Sequence, residues 1–142
     1  MATPRVDFYV LSSSGANGRL HFACRLAERA YGELDEIYAH TESPAMAGQL
    51  DELLWTFRQG SFIPHETLSG QEPRSAVCIG TPAQPRESGQ LLINLTGEVP
   101  AFAEQFARIA EIVDTDESSR AASRQRFKRY REMGIEPVTH TI

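Results

Sequence analysis

The chain has 142 residues, 41% of them hydrophobic and 23% charged, with a net charge of −5. Such a length suits one domain, residues 1–142, able to bury about two-thirds of its unfolded surface without disulfides or metal. The ordinary globular composition excludes a disordered or low-complexity chain. No stretch approaches the ~20 apolar residues of a membrane span, and the opening MATPRVDFYVLSSS lacks the apolar run of a signal peptide. A soluble, cytoplasmic protein is therefore expected. Cys24 and Cys78 sit far apart among apolar neighbours with no CxxC pairing, which predicts buried, reduced thiols.

In chain order, Val6–Leu11 is a short apolar run rich in β-formers, ended by the turn residues SSSGANG. Arg19–Tyr31 has helical spacing, with Leu20, Ala23, Cys24, Ala27, Ala30 and Tyr31 on one face and Gly32 as a stop. Glu36–Ala39 reads as a second strand. After the Ser43-Pro44 start signal, a second helix runs to about Phe57, with Met46, Leu50, Leu53, Leu54 and Phe57 facing inward. Ala76–Ile79 and Leu91–Leu95 read as buried strands separated by the loop GTPAQPRESG. Phe102–Ala107 is predicted helical, Arg108–Val113 extended, and Asp116–Met133 a last helix closed by Gly134 and Pro137. Alternating strands and helices argue for an α/β fold with a parallel or mixed sheet covered by helices.

Such sheets invite a nucleotide reading, which the residues oppose. The Ser12–Gly18 loop is neither GxGxxG nor a P-loop, and His40 and Thr41 stand where an acidic ribose-binding residue would end the second strand. His21, His40, His65 and His140 are scattered, without metal-ligand spacing. Asp7 has no DxD pattern, and Ser12–Ser14 lack the GxSxG elbow. A non-catalytic chain without cofactor or metal is the expectation.

Binding chemistry concentrates in Ser118–Arg131, which holds Arg120, Arg124, Arg126, Lys128, Arg129 and Arg131 and no acid. The remainder carries eight basic residues against all nineteen acidic ones. Concentrating one sign costs self-repulsion and suggests an anionic partner. On a helical wheel, Arg120, Arg124, Lys128 and Arg131 form one stripe, bordered by Phe127 and by an apolar strip of Phe127, Tyr130 and Met133. A cationic row beside an apolar slot suits an acidic peptide with a hydrophobic end, or single-stranded nucleic acid with Phe127 and Tyr130 as stacking platforms. The acidic balance of the whole chain favours the peptide. A second cluster surrounds the single tryptophan, Trp55, followed by Phe57, Phe62 and Ile63 around Gly60. These aromatics either seal the core or anchor a partner.

The combination of FYVL, LDELLWTF, SFIPH, LLINL and RQRFKRYREMG resembles the chi-subunit family of bacterial DNA polymerase III over nearly the whole chain. The resemblance implies a non-enzymatic, Rossmann-like α/β domain with a mostly parallel sheet, helices on both faces and no nucleotide site. It implies an adaptor that links the clamp loader, through the psi subunit, to the acidic C-terminal tail of single-stranded DNA-binding protein. Carried over residue by residue, the tail surface falls on Val113, Arg120, Arg124, Phe127, Lys128 and Arg131. Arg120 stands for a lysine of the enterobacterial form and Phe127 for a tyrosine, so charge is kept while donor geometry changes and a hydroxyl is lost. The surface for psi, or for a competing helicase partner, falls on Trp55 and Phe62. Contact with nucleic acid is expected to be at most indirect, and no membrane partner is expected.

Overall fold

The structure, a computed structural model, describes residues 3–142 apart from 14–17 and 61. Its strands are β1 (Arg5–Val10), β2 (Ile37–His40), β3 (His65–Thr67), β4 (Val77–Gly80), β5 (Gly89–Asn94), β6 (Phe106–Val113) and β7 (Val138–Thr141). They form one sheet in the order β3-β4-β2-β5-β6-β1-β7, and every neighbouring pair is parallel. Helices α1 (Gly18–Tyr31), α2 (Pro44–Thr56) and α3 (Glu117–Glu132) cover it. This is the expected Rossmann-like α/β architecture.

Parallel strands need crossovers, so helices lie on both faces and the central strands lose their solvent side. All four residues of β2 and of β4 are accordingly buried. On one face, Leu20, Ala23, Cys24 and Ala27 of α1 and Ala47, Leu50 and Leu54 of α2 pack against Ile37, Ala39, Ile79, Ile93 and Ile112. On the other, Tyr130 of α3 joins Phe8, Tyr38, Leu92, Phe106, Ile109 and Val113. Both cysteines are free and buried, and burial pushes the Cys24 thiol up to about 12.

Helix ends follow local chemistry. Ser43 caps α2 by accepting the Met46 N–H at 3.2 Å, with Pro44 in the first turn. Asp116 caps α3 through the Ser119 N–H at 3.0 Å, and hydrogen bonds from Ser118 and Ser119 hold its carboxyl well below the usual carboxylate range. At the far end, Gly134 takes φ +84°. The Gly134 N–H bonds the Arg131 carbonyl and the Ile135 N–H bonds the Tyr130 carbonyl, each at 3.0 Å, in a Schellman motif. Ile135 is thereby buried beside Tyr130, and the chain turns into β7.

Three features differ from the sequence expectation. The helix predicted over Phe102–Ala107 is only a 3-10 turn at Ala103–Gln105, and β6 already begins at Phe106. Burial decides it: the Phe106 ring stacks on Tyr38 at 6.0 Å, and a Cβ on Gly89 would meet that ring at 2.9 Å. The short edge strands β3 and β7 were not anticipated, because HET and VTHT lack a buried apolar face. Arg126 is not part of an exposed basic field but is 5% exposed.

Arg126 turns inward because β6 carries a carboxylate, Glu111, with no solvent exposure. Glu111 accepts from Arg126 Nε at 2.9 Å, Asn94 Nδ2 at 2.9 Å and the Tyr130 hydroxyl at 2.6 Å. Residues 126 and 130 are one helical turn apart, so α3 straddles this single side chain. Burial pushes the Glu111 carboxyl upward, opposed first by the Arg126 charge and then by the hydrogen bonds. Burial, followed by the Glu111 charge, pushes the Tyr130 phenol up.

Removing one partner of a buried pair strands the other charge, at a cost of about 3–5 kcal/mol. Arg126→Ala should therefore lower the melting temperature by roughly 10 °C. Without the guanidinium, the Glu111 pKa in the folded state rises further above its unfolded value. Stability of the variant is then present at low pH and lost as pH rises through that raised pKa. Thermal melts across pH 5–8 should show the gap to wild type widening toward pH 8; a constant gap would contradict the account.

Candidate partner-binding surfaces

α3 begins beside the end of β6, and its buried side is set by Arg126 and Tyr130, so the flank bearing residues 124, 127, 128 and 131 is left outward. Arg124, Phe127, Lys128, Arg131 and Glu132 line an open cleft of roughly 450 Å³. Arg124, Lys128 and Arg131 are exposed, whereas Phe127 is half-buried and leans on Phe8 with ring centroids 5.3 Å apart. The cleft therefore combines three cations and one carboxylate, Glu132, with one apolar wall.

Of the six residues expected at this surface, four meet in the cleft. Arg120 lies one turn earlier, half-buried, with its Nε donating to the Thr115 carbonyl at 3.2 Å. Val113 is buried at 2% exposure at the end of β6, outside the cleft lining. Two of the cations are already engaged by carboxylates of the same chain. Arg124 pairs with Glu117 at 2.8 Å and Arg131 with Glu136 at 3.3 Å. Lys128 makes no ion pair among the described residues.

The remaining basic residues go elsewhere. Arg126 belongs to the core, and Arg129 faces a separate cleft formed with His40, Phe102 and the 96–101 loop. Burial lowers the His40 pKa, and its Nδ1 lies 2.6 Å from the Tyr38 hydroxyl. The Tyr130 ring has no exposure, so it cannot serve as a stacking platform for a base.

Trp55 ends α2 and Phe62 follows on the connector to β3. They are 54% and 67% exposed, with ring centroids 5.7 Å apart. Neither ring seals the core; Ile63, at 2% exposure, does that next door. The exposed pair and the α3 cleft lie on different elements on opposite faces of the sheet, since α2 packs on one face and α3 on the other.

The Ser12–Gly18 loop is described only in part, since 14–17 lie outside the described residues. Among the described residues, no group of three or more His, Cys, Asp or Glu side chains is placed to hold a metal, and no helix is long and apolar enough to cross a membrane.

The profile of the family described as DNA polymerase III chi subunit, HolC, matches residues 3–138. DNA polymerase III subunit chi of Pseudomonas aeruginosa is 41% identical over 138 residues, covering 97% of this chain and 96% of that protein. The Escherichia coli protein of the same name is 30% identical over 142 residues, covering 94% and 95%. Among solved structures, the C-terminal domain of the DEAD-box protein Dbp5 superposes with TM-score 0.64 at 13% identity, over 96% of this chain and 91% of that one. T4 UvsW gives TM-score 0.68 at 8% identity, over 97% of this chain and 41% of that one. At such identities the likeness concerns the fold alone.

Adjacent residues provide a test of the exposed pair. Phe62→Ala should change stability by no more than about 0.5 kcal/mol, as at other exposed positions. Ile63→Ala should cost about 2–5 kcal/mol. Chemical denaturation of the two variants checks both; comparable losses would place Phe62 in the core.

Proposed function

The chain belongs to the DNA polymerase III chi-subunit family, and from that premise we propose that it is a non-catalytic adaptor of the bacterial replicase. In this reading, the α3 cleft takes the acidic C-terminal tail of single-stranded DNA-binding protein. Trp55 and Phe62 take the psi subunit of the clamp loader or an equivalent partner. The observation that carries the proposal is the cleft itself, where Arg124, Lys128 and Arg131 surround the half-buried Phe127. Guanidinium groups suit carboxylates through charge-assisted hydrogen bonds, and Phe127 offers the apolar contact that a hydrophobic tail end requires.

The second support is spatial. An adaptor has to hold two partners at once, and surfaces on opposite faces of one sheet do not compete for space. Direct binding of single-stranded nucleic acid is less well supported, because Tyr130 is buried and only Phe127 is left to stack.

Calorimetry with a synthetic tail peptide tests the α3 cleft. Arg124→Ala should weaken binding about tenfold or more, with the fold unchanged. Glu117→Gln should act oppositely. It releases Arg124 from an exposed ion pair of the kind that contributes about 0–1 kcal/mol, so the peptide should bind up to about fivefold tighter. Wild-type affinity in Arg124→Ala would remove the tail from this cleft.

A further inference from the structure

The surface around Trp55 has the opposite electrical character to α3. Asp51 and Glu52 precede Trp55 by about one turn of α2, with Glu52 exposed and Asp51 partly so. The nearby Arg58 is engaged with Glu28 at 2.9 Å. Beneath the indole lies His65, ring centroids 4.6 Å apart, its side chain without exposure.

His65 is held in an instructive way. Its Nδ1 is 2.6 Å from the Ile63 carbonyl, an acceptor only, so Nδ1 carries the hydrogen. The other ring nitrogen, Nε2, lies on the side of Asp51. It is buried without a hydrogen-bond partner and lies 3.4 Å from Asp51 Oδ1. A carboxylate thus lies beside a buried, unpartnered ring nitrogen at the edge of an exposed aromatic pair. A buried polar atom without a partner is uncommon, and the chemistry that answers this arrangement is a donor bearing positive charge.

We infer that the partner segment seated on Trp55 and Phe62 is basic and apolar: an aliphatic or aromatic side chain covers the two rings, and a flanking lysine or arginine reaches Asp51. Tryptophan is also the aromatic face that best accepts a cation. The two surfaces then select by sign. An acidic tail is attracted to α3 and repelled at Trp55, and a basic segment the reverse, which keeps each partner from occupying the other's place. This inference rests on the reading of Trp55 and Phe62 as a partner surface and adds the chemistry of what binds there.

The test selects binders from a random dodecapeptide display library on the intact protein, sorting them by whether Phe62→Ala abolishes binding. The Phe62-dependent peptides should be enriched in lysine and arginine beside apolar residues. The best of them, synthesised without tryptophan, should shift the emission of Trp55. Its affinity should fall about tenfold in Asp51→Asn combined with Glu52→Gln, while tail-peptide binding at α3 stays unchanged. If no Phe62-dependent peptide emerges, both the inference and the partner reading of that surface fall. If Phe62-dependent peptides emerge acidic or uncharged, or bind the Asp51→Asn/Glu52→Gln protein as well as wild type, the partner surface stands and the charge assignment is overturned.

Discussion

A single buried carboxylate organises the side of the molecule that carries the basic surface. Glu111 sits inside the apolar run of β6, and its ionised form is tolerated only with donors in place. Two of those donors come from successive turns of α3 and the third from Asn94 on the neighbouring strand. Hydrophobic packing is non-directional and would accept several rotations of a helix about its own axis. Hydrogen bonds to one carboxylate accept far fewer. The orientation of Arg124, Lys128 and Arg131 toward solvent is therefore inherited from Arg126 and Tyr130 pointing the other way.

Much of the fold was legible because its signals are local. Ser43-Pro44 and Gly134 mark helix ends through backbone chemistry that needs no tertiary context. The strands read at Glu36–Ala39 and Ala76–Ile79 are found one residue later, as Ile37–His40 and Val77–Gly80, with both faces buried. The edge strands were not legible: three or four mostly polar residues gain strand geometry only by pairing with β4 or β1. The helix expected at Phe102–Ala107 failed for a related reason, since a long-range contact between Phe106 and Tyr38 outweighed local propensity. For the candidate surfaces, the helical wheel set Arg120, Arg124, Lys128 and Arg131 apart from Arg126 and Arg129, but it could not show that Arg126 turns into the core and Arg129 toward a second cleft. The available signal was Glu111 itself. A lone acid within the apolar run Ile109–Val113 demands a cation, and Arg126, one turn before a large aromatic on a helix that must pack, was placed to supply it. The acidic rim around Trp55 was equally visible in LDELLW, but the orphaned His65 Nε2 depends on a fold-level juxtaposition that spacing cannot show.

Charge in this chain is separated by element, which explains how a net-acidic protein can offer a cationic surface. The arginines of α3 are not left bare. Glu117 and Glu136 sit against two of them, so under the proposed reading an incoming carboxylate would exchange with a resident one. Exchange of this kind would lower affinity but raise selectivity, because only a ligand that also contacted Phe127 would gain more than it displaced.

The order of strands has a consequence for how the chain comes to be folded. β1 lies between β6 and β7, so the earliest strand to leave the ribosome waits for residues more than ninety positions later before either edge is covered. No hairpin is available to shelter it, since every pairing in the sheet is parallel. Topologies dominated by distant pairings fold slowly and expose unpaired edges meanwhile. The Val6, Phe8 and Val10 face of β1 is thus the segment most in need of protection during synthesis.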